Sequence, residues 1–204
     1  MPSIEARINS SPVFDMESDD PFNITIELIL HHHSGVTFRI NEIPLFNGKV
    51  MNKGGLTFTD TVTGIETPRN TIFFCGPGPE GPLRVAIENG FTSLHPGEKH
   101  TIEGSMHRMD ISFNLGPNST PEGIKGAIKK RPKVCNWRHA ENLEEGRTYR
   151  IGIDKDNVIK TWLEGSKEEL LSKPLTERTD DKMKLEPIFF HLTQPAEFIV
   201  KRPK

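Results

Sequence analysis

Only two cysteines, Cys75 and Cys135, occur in the 204 residues. Two are too few for a disulfide framework, although a single bridge between them stays open. There is one tyrosine and there are two tryptophans against twelve phenylalanines, so phenylalanine must carry most of the aromatic packing. No apolar segment approaches the ~18 residues that a membrane-spanning helix needs. The N-terminal stretch MPSIEARINSSPVFDMESDD contains no apolar run of signal-peptide length. These absences predict a cytoplasmic chain whose thiols are reduced. On that basis the sequons at Asn9, Asn23 and Asn118 are read as chance.

Charge of one sign is also scarce. The formal net charge is -2, so the electrostatic footprint of a nucleic-acid binder is missing. The basic run Lys125–Lys133 reads as a solvated loop. The sequence has no GxSxG, GxGxxG, Walker A, HExxH or CxxC motif. Gly76-Pro77-Gly78-Pro79 is glycine-rich, but its prolines remove the N–H donors that a phosphate cradle requires. Glu144-Glu145 and Glu168-Glu169 read as solvated carboxylates. No cofactor and no metal centre is therefore expected.

What is present is strand periodicity. Phe22, Ile24, Ile26, Leu28 and Leu30 alternate with Asn23, Thr25 and Glu27 in a strand read as Phe22 to His33, which puts the apolar set on one face and the polar set on the other. Val36, Phe38 and Ile40 alternate after Ser34-Gly35, and the pair is predicted to form a hairpin. Leu56–Thr59, Ile72–Cys75, Leu83–Ile87, Phe91–Leu94, Thr101–Met106 and Met109–Leu115 supply further short strands. Pro117 to Pro132 is a long break without a period and is expected to be an exposed, flexible loop. Tyr149, Ile151 and Ile153 resume the alternation. Asp154–Asn157 makes a turn, and Val158–Leu163 is expected to return as the partner strand. Ser166 and Glu169 form a capping-box pattern that starts one short helix. Ile188–Leu192 and Phe198–Val200 are the last strands. Many short strands with turn signals between them predict an all-β, two-sheet antiparallel sandwich occupying residues 1–204 as a single domain.

Three constellations stand out. His31 and His33 would share a strand face and could chelate a metal with a third ligand such as His95, His100 or His107. Cys75, or Cys135 near His139, could act as a nucleophile if its pKa were lowered. Asn136-Trp137-Arg138-His139 is the most site-like cluster, combining a flat apolar wall with charged donors. Arg39, Tyr149 and Trp162 could join it. Each also has a plainer reading: a polar strand end, an inert thiol, and a tryptophan packed at the core edge.

The stretch LTFTDTVTG, followed by FTSLHPGEKHTIEGSM, resembles the β-sandwich domain that precedes the catalytic domain in fungal lysine-specific metalloendopeptidases. The likeness spans Leu56 to Met106, and the peptidase zinc motif is not part of it. With RTYRIGI, IKTWLEGSKEELL and FFHLTQPAEFIVKRP, the whole chain resembles small leaderless fungal Ig-like β-sandwich proteins. Among those with a role, it is similar to the norbornene-forming Diels–Alderases of sordarin-type diterpenoid biosynthesis. That resemblance implies a cofactor-independent [4+2] cyclase of fungal terpenoid secondary metabolism, acting on an apolar small molecule. Such an enzyme works by holding diene and dienophile together and by donating a hydrogen bond to a carbonyl. Arg39, Arg138, His139 and Tyr149 would be the candidate donors. His32, Phe38, Trp137 and Trp162 would wall the pocket. The alternative is a non-catalytic module that binds a protein or small ligand.

Overall fold

The computed structural model describes residues 1–16, 18, 20–46, 55–68, 90–106, 142–172 and 183–201. Among them the chain is all-β. The strands are β1 (Ser3–Ser10), β2 (Val13–Asp15), β3 (Phe22–His31), β4 (Val36–Arg39), β5 (Leu56–Asp60), β6 (Phe91–Leu94), β7 (Lys99–Met106), β8 (Thr148–Ile153), β9 (Val158–Ile159), β10 (Trp162–Glu164), β11 (Ile188–Gln194) and β12 (Ala196–Lys201). One short helix, α1 (Lys167–Ser172), and two single 3₁₀ turns complete the described elements. The expected strands Ile72–Cys75, Leu83–Ile87 and Met109–Leu115 and the break at Pro117–Pro132 lie outside the described residues.

The alternation in β3 becomes a buried face. Phe22, Ile24, Ile26, Leu28 and Leu30 are all enclosed. β1 supplies the matching set: Ile4, Ala6 and Ile8 stand opposite Leu30, Leu28 and Ile26 in an antiparallel ladder. Cross-strand apolar pairs of this kind are the unit of sheet stability. A five-stranded sheet in the order β7-β3-β1-β11-β9 results, with a four-stranded sheet β2-β12-β8-β5 and a three-stranded sheet β10-β4-β6.

Both chain ends change sheets. β1 lies in the five-stranded sheet and β2 in the four-stranded one, with Ser11-Pro12 between them. β11 and β12 repeat the move across Pro195. Proline lacks the N–H needed to continue a ladder, so each change of sheet falls where pairing must stop anyway. The two ends run parallel to each other, β1 with β11 and β2 with β12. Side chains of β1 and β3 on one side and of β2, β12, β8 and β5 on the other share one core cluster, so the chain builds an all-β sandwich.

Between the sheets, the Phe198 ring meets Phe14, Phe22, Phe58 and Tyr149 at centroid distances of 5.0 to 6.2 Å. Each such aromatic pair adds about 0.5–1.5 kcal/mol beyond area burial. Val36, Phe38, Leu94 and Trp162 of the three-stranded sheet belong to the same core cluster.

Two expected pairings are corrected. β3 and β4 do not form a hairpin: β4 pairs with β6 and β10, while β3 pairs with β1 and β7. The Ser34-Gly35 connection carries the chain out of one sheet and into another. The segment after the Asp154–Asn157 turn likewise does not return against β8. β9 joins β11 and β10 joins β4. The turn itself is present, with Asn157 N–H donating to the Asp154 carbonyl at 3.0 Å. Buried Asn157 also donates to Gly55 O and accepts from Leu45 N–H, and so ties three segments together.

Candidate functional site

The sandwich carries two polar constellations, one beside the three-stranded sheet and one at the end of the four-stranded sheet. The first is built by the chain leaving β3. The strand ends at His31, and the next three residues bend before β4 begins. The alternation therefore stops, and His31 and His33 do not share a face as expected. His31 Nε2 lies 3.1 Å from Glu5 Oε2, whereas His33 Nε2 lies 3.0 Å from Glu164 Oε1. The residues that converge are His32, His33 and Glu164, whose ligand-type atoms all lie within 4.8 Å of one another. The third member is a carboxylate rather than a histidine. His95 is not part of the cluster, the His100 ring lies tilted against Phe46 at 5.4 Å, and His107 lies outside the described residues.

The base of this cluster is rigid. β4 and β10 are paired through Glu164 opposite Val36. Gly165 N–H donates to Gly35 O at 2.8 Å, and Thr37 Oγ1 donates to Gly165 O at 2.8 Å. The capping box then closes reciprocally as expected: Glu169 N–H donates to Ser166 Oγ and Ser166 N–H to Glu169 Oε2. Ser34 Oγ donates to Glu164 Oε1 at 2.9 Å. That hydrogen bond, with help from His33 and Lys184, holds the Glu164 carboxyl below its ordinary value against the opposing effect of desolvation.

The second constellation is a cleft of about 210 Å³ between the 60–68 turn and the segment leading into β8, lined in part by Asp60, Asn142, Glu144, Arg147 and Tyr149. Buried Asp60 accepts from the N–H groups of Val62 and Thr63 at 2.8 Å each, and from Arg147 Nη1 at 3.0 Å. The Thr63 backbone bond is the largest cause lowering the Asp60 pKa, with Val62 and Arg147 adding to it and desolvation opposing. Arg147 also binds Glu144 at 2.9 Å, and these two carboxylates raise its pKa further. The Tyr149 hydroxyl accepts the Glu144 N–H at 2.9 Å. This bond from a tyrosine near the start of β8 back to the backbone five residues upstream pins the segment that enters the strand.

The residues expected from sequence divide accordingly. His32, Phe38 and Trp162 come together: Trp162 stands opposite Phe38, and its ring meets His32 edge-on at 5.9 Å. Phe38 and Trp162 are buried, and Trp162 Nε1 donates to Glu186 O at 2.9 Å. Arg39 lies over the Phe91 ring at 5.6 Å and pairs with Glu42. Tyr149 is in the four-stranded sheet, apart from that group. Trp137, Arg138 and His139, with Cys75 and Cys135, lie outside the described residues. Sequence reasoning missed Glu164, Asp60 and Arg147. For Asp60 a signal existed, because Asp-Thr-Val-Thr-Gly is an Asx-turn pattern.

No helix among the described residues is long and apolar enough to cross a membrane. No family model matches the chain, and neither does any curated protein or solved structure.

Proposed function

We propose that this protein is a β-sandwich binding module that recognises a protein partner through the loop end formed by residues 60–68 and 142–148. The observation that supports the reading is the pairing of a stiff turn with exposed apolar side chains. Val62 is 85% exposed and Ile65 is 67% exposed. Yet the turn that carries them is held by Asp60, by Thr61 N–H to Thr148 O, and by Gly64 at φ +71°. Apolar groups held out by a fixed backbone lose little entropy on docking. The adjoining cleft mixes charged and apolar side chains and, at about 210 Å³, falls below the roughly 300–1,000 Å³ usual for small-molecule sites. It suits a charged rim around an apolar contact. Immunoglobulin-type domains commonly present their loop ends for recognition.

The test compares the wild type with a Val62→Ser/Ile65→Ser variant as immobilised bait in lysate from the source cells. Exposed substitutions change stability by no more than about 0.5 kcal/mol, so the variant should melt within about 2 °C of the wild type. A protein retained by the wild type and lost by the variant is expected. Identical retained sets overturn the reading.

A second reading is the cofactor-free cyclase that the family resemblance implies. The meeting of His32, Phe38 and Trp162 favours it, because an apolar wall beside an imidazole is what such a site would use. The burial of both rings weighs against it, since a substrate would have to displace core packing. A polyene-aldehyde precursor giving the same product ratio with and without protein would sink it.

A further inference from the structure

We propose that His32, His33 and Glu164 form a binding site for one divalent transition-metal ion of the Zn²⁺ class, with a coordination position left open to solvent. This inference is independent of the loop-end reading and concerns a different part of the sandwich.

The donor set is two imidazoles and a carboxylate, a combination that suits Zn²⁺ and its borderline neighbours. Tetrahedral ligands at about 2.0–2.2 Å from a metal lie about 3.3–3.6 Å from each other. His33 Nε2 and Glu164 Oε1 already stand 3.0 Å apart. All three donors lie within 4.8 Å, so closing the set needs a movement of the order of 1 Å at the widest pair. The His33 side chain is 78% exposed and the Glu164 side chain 42%, so both can make that movement without disturbing the core.

The groups behind the donors are arranged as an outer shell. His32 Nδ1 lies 3.2 Å from the Ser34 carbonyl and 3.1 Å from its hydroxyl. A carbonyl only accepts, so this contact favours the tautomer with the proton on Nδ1, the one in which Nε2 can ligate a metal. The same Ser34 hydroxyl donates to Glu164. One residue therefore orients two donors. The Trp162 ring backs His32, and the His33 ring lies tilted 4.1 Å from it. Three protein donors leave a fourth tetrahedral position for water or an incoming ligand, the arrangement found in zinc sites that bind substrate.

The experiment is calorimetric titration of the full chain, untagged and freed of metal by chelator, with ZnCl₂. Co²⁺ titration provides a visible-absorption readout of tetrahedral geometry. One equivalent of Zn²⁺ should bind with micromolar affinity. His33→Ala and Glu164→Ala should each weaken binding at least tenfold, and Ser34→Ala by about 10- to 100-fold through loss of orientation. His31→Ala should leave affinity unchanged, because His31 is engaged by Glu5 on the other side of the bend. Thermal melts of each metal-free variant check that the fold is retained, which the exposed His31, His33 and Glu164 and the half-buried Ser34 permit. The absence of saturable uptake at millimolar metal overturns the proposal. So does uptake undiminished in both His33→Ala and Glu164→Ala, or uptake lost equally in His31→Ala.

Discussion

Replacing Gly35 by alanine tests whether the β4 and β10 ends are as tightly locked as their geometry requires. A β-carbon at residue 35 would meet Ser166 N at 3.0 Å, Gly165 C at 3.1 Å and Gly165 O at 3.3 Å. All three are backbone atoms, so no side chain can swing aside. Overpacking of this kind costs about 1–3 kcal/mol. Separating the strands also stretches the 2.8 Å bond from Gly165 N–H to Gly35 O, worth about 0.5–1.5 kcal/mol. Alanine offsets part of this by restricting the unfolded chain, by about 0.4–1 kcal/mol. The clash wins, leaving a net loss centred near 2 kcal/mol. For a chain of this size that lowers Tm by about 4–8 °C. Circular dichroism melts of the metal-free protein give the number. An unchanged or raised Tm would mean that the two strand ends separate at no cost. The rigid floor assigned to the His32–His33–Glu164 cluster would then be wrong.

Tyr149→Phe removes the acceptor of the Glu144 N–H and leaves a part-buried donor unpaired, so it should cost about 1–2 kcal/mol and a fall in Tm of about 2–8 °C; a Tm equal to wild type would refute the structural role of the hydroxyl. Acid stability provides a separate test at Glu5, whose pKa is lowered from 4.5 to about 2 by hydrogen bonds from Arg7, Thr193 and His31. A depressed carboxyl pKa contributes stability that is present above 4.5 and lost as pH falls toward 2. Urea midpoints measured from neutral pH down through that window should fall less steeply for Glu5→Gln than for wild type, and parallel slopes would show that Glu5 is unperturbed.

Much of the strand inventory was legible because period-two burial is a local property. The apolar faces of β3, β5 and β8 and the Ser166–Glu169 capping box could be read directly. β1 carries the same signal in Ile4, Ala6 and Ile8, but alanine and the intervening charges make its apolar face faint. It is nevertheless a central strand, because β3 and β11 cover both of its edges. Pairing was less legible than existence. Ser34-Gly35 and Asp154–Asn157 do turn the chain, and a local turn ordinarily implies that neighbouring strands meet. Here each turn delivers the chain to a different sheet, and the partner is chosen by distant apolar complementarity. Phe38 finds Trp162, and Ile159 finds Ile188.

The same distinction explains why a histidine pair could be suspected while its true geometry could not. Three consecutive histidines are visible in any reading of the chain, but which two cooperate depends on where β3 stops. Had the strand continued through His33, period two would have aligned His31 with His33. The bend after His31 instead gives His31 to Glu5 on β1 and turns His32 and His33 toward β10. Glu164 enters only because β10 registers on β4 with Glu164 opposite Val36. A slip of one residue would send that carboxylate to the other face. The buried Phe38–Trp162 pair sets that register and so places Glu164 beside His33. Those rings, expected from sequence to wall a pocket, thus bear on the surface cluster through packing alone.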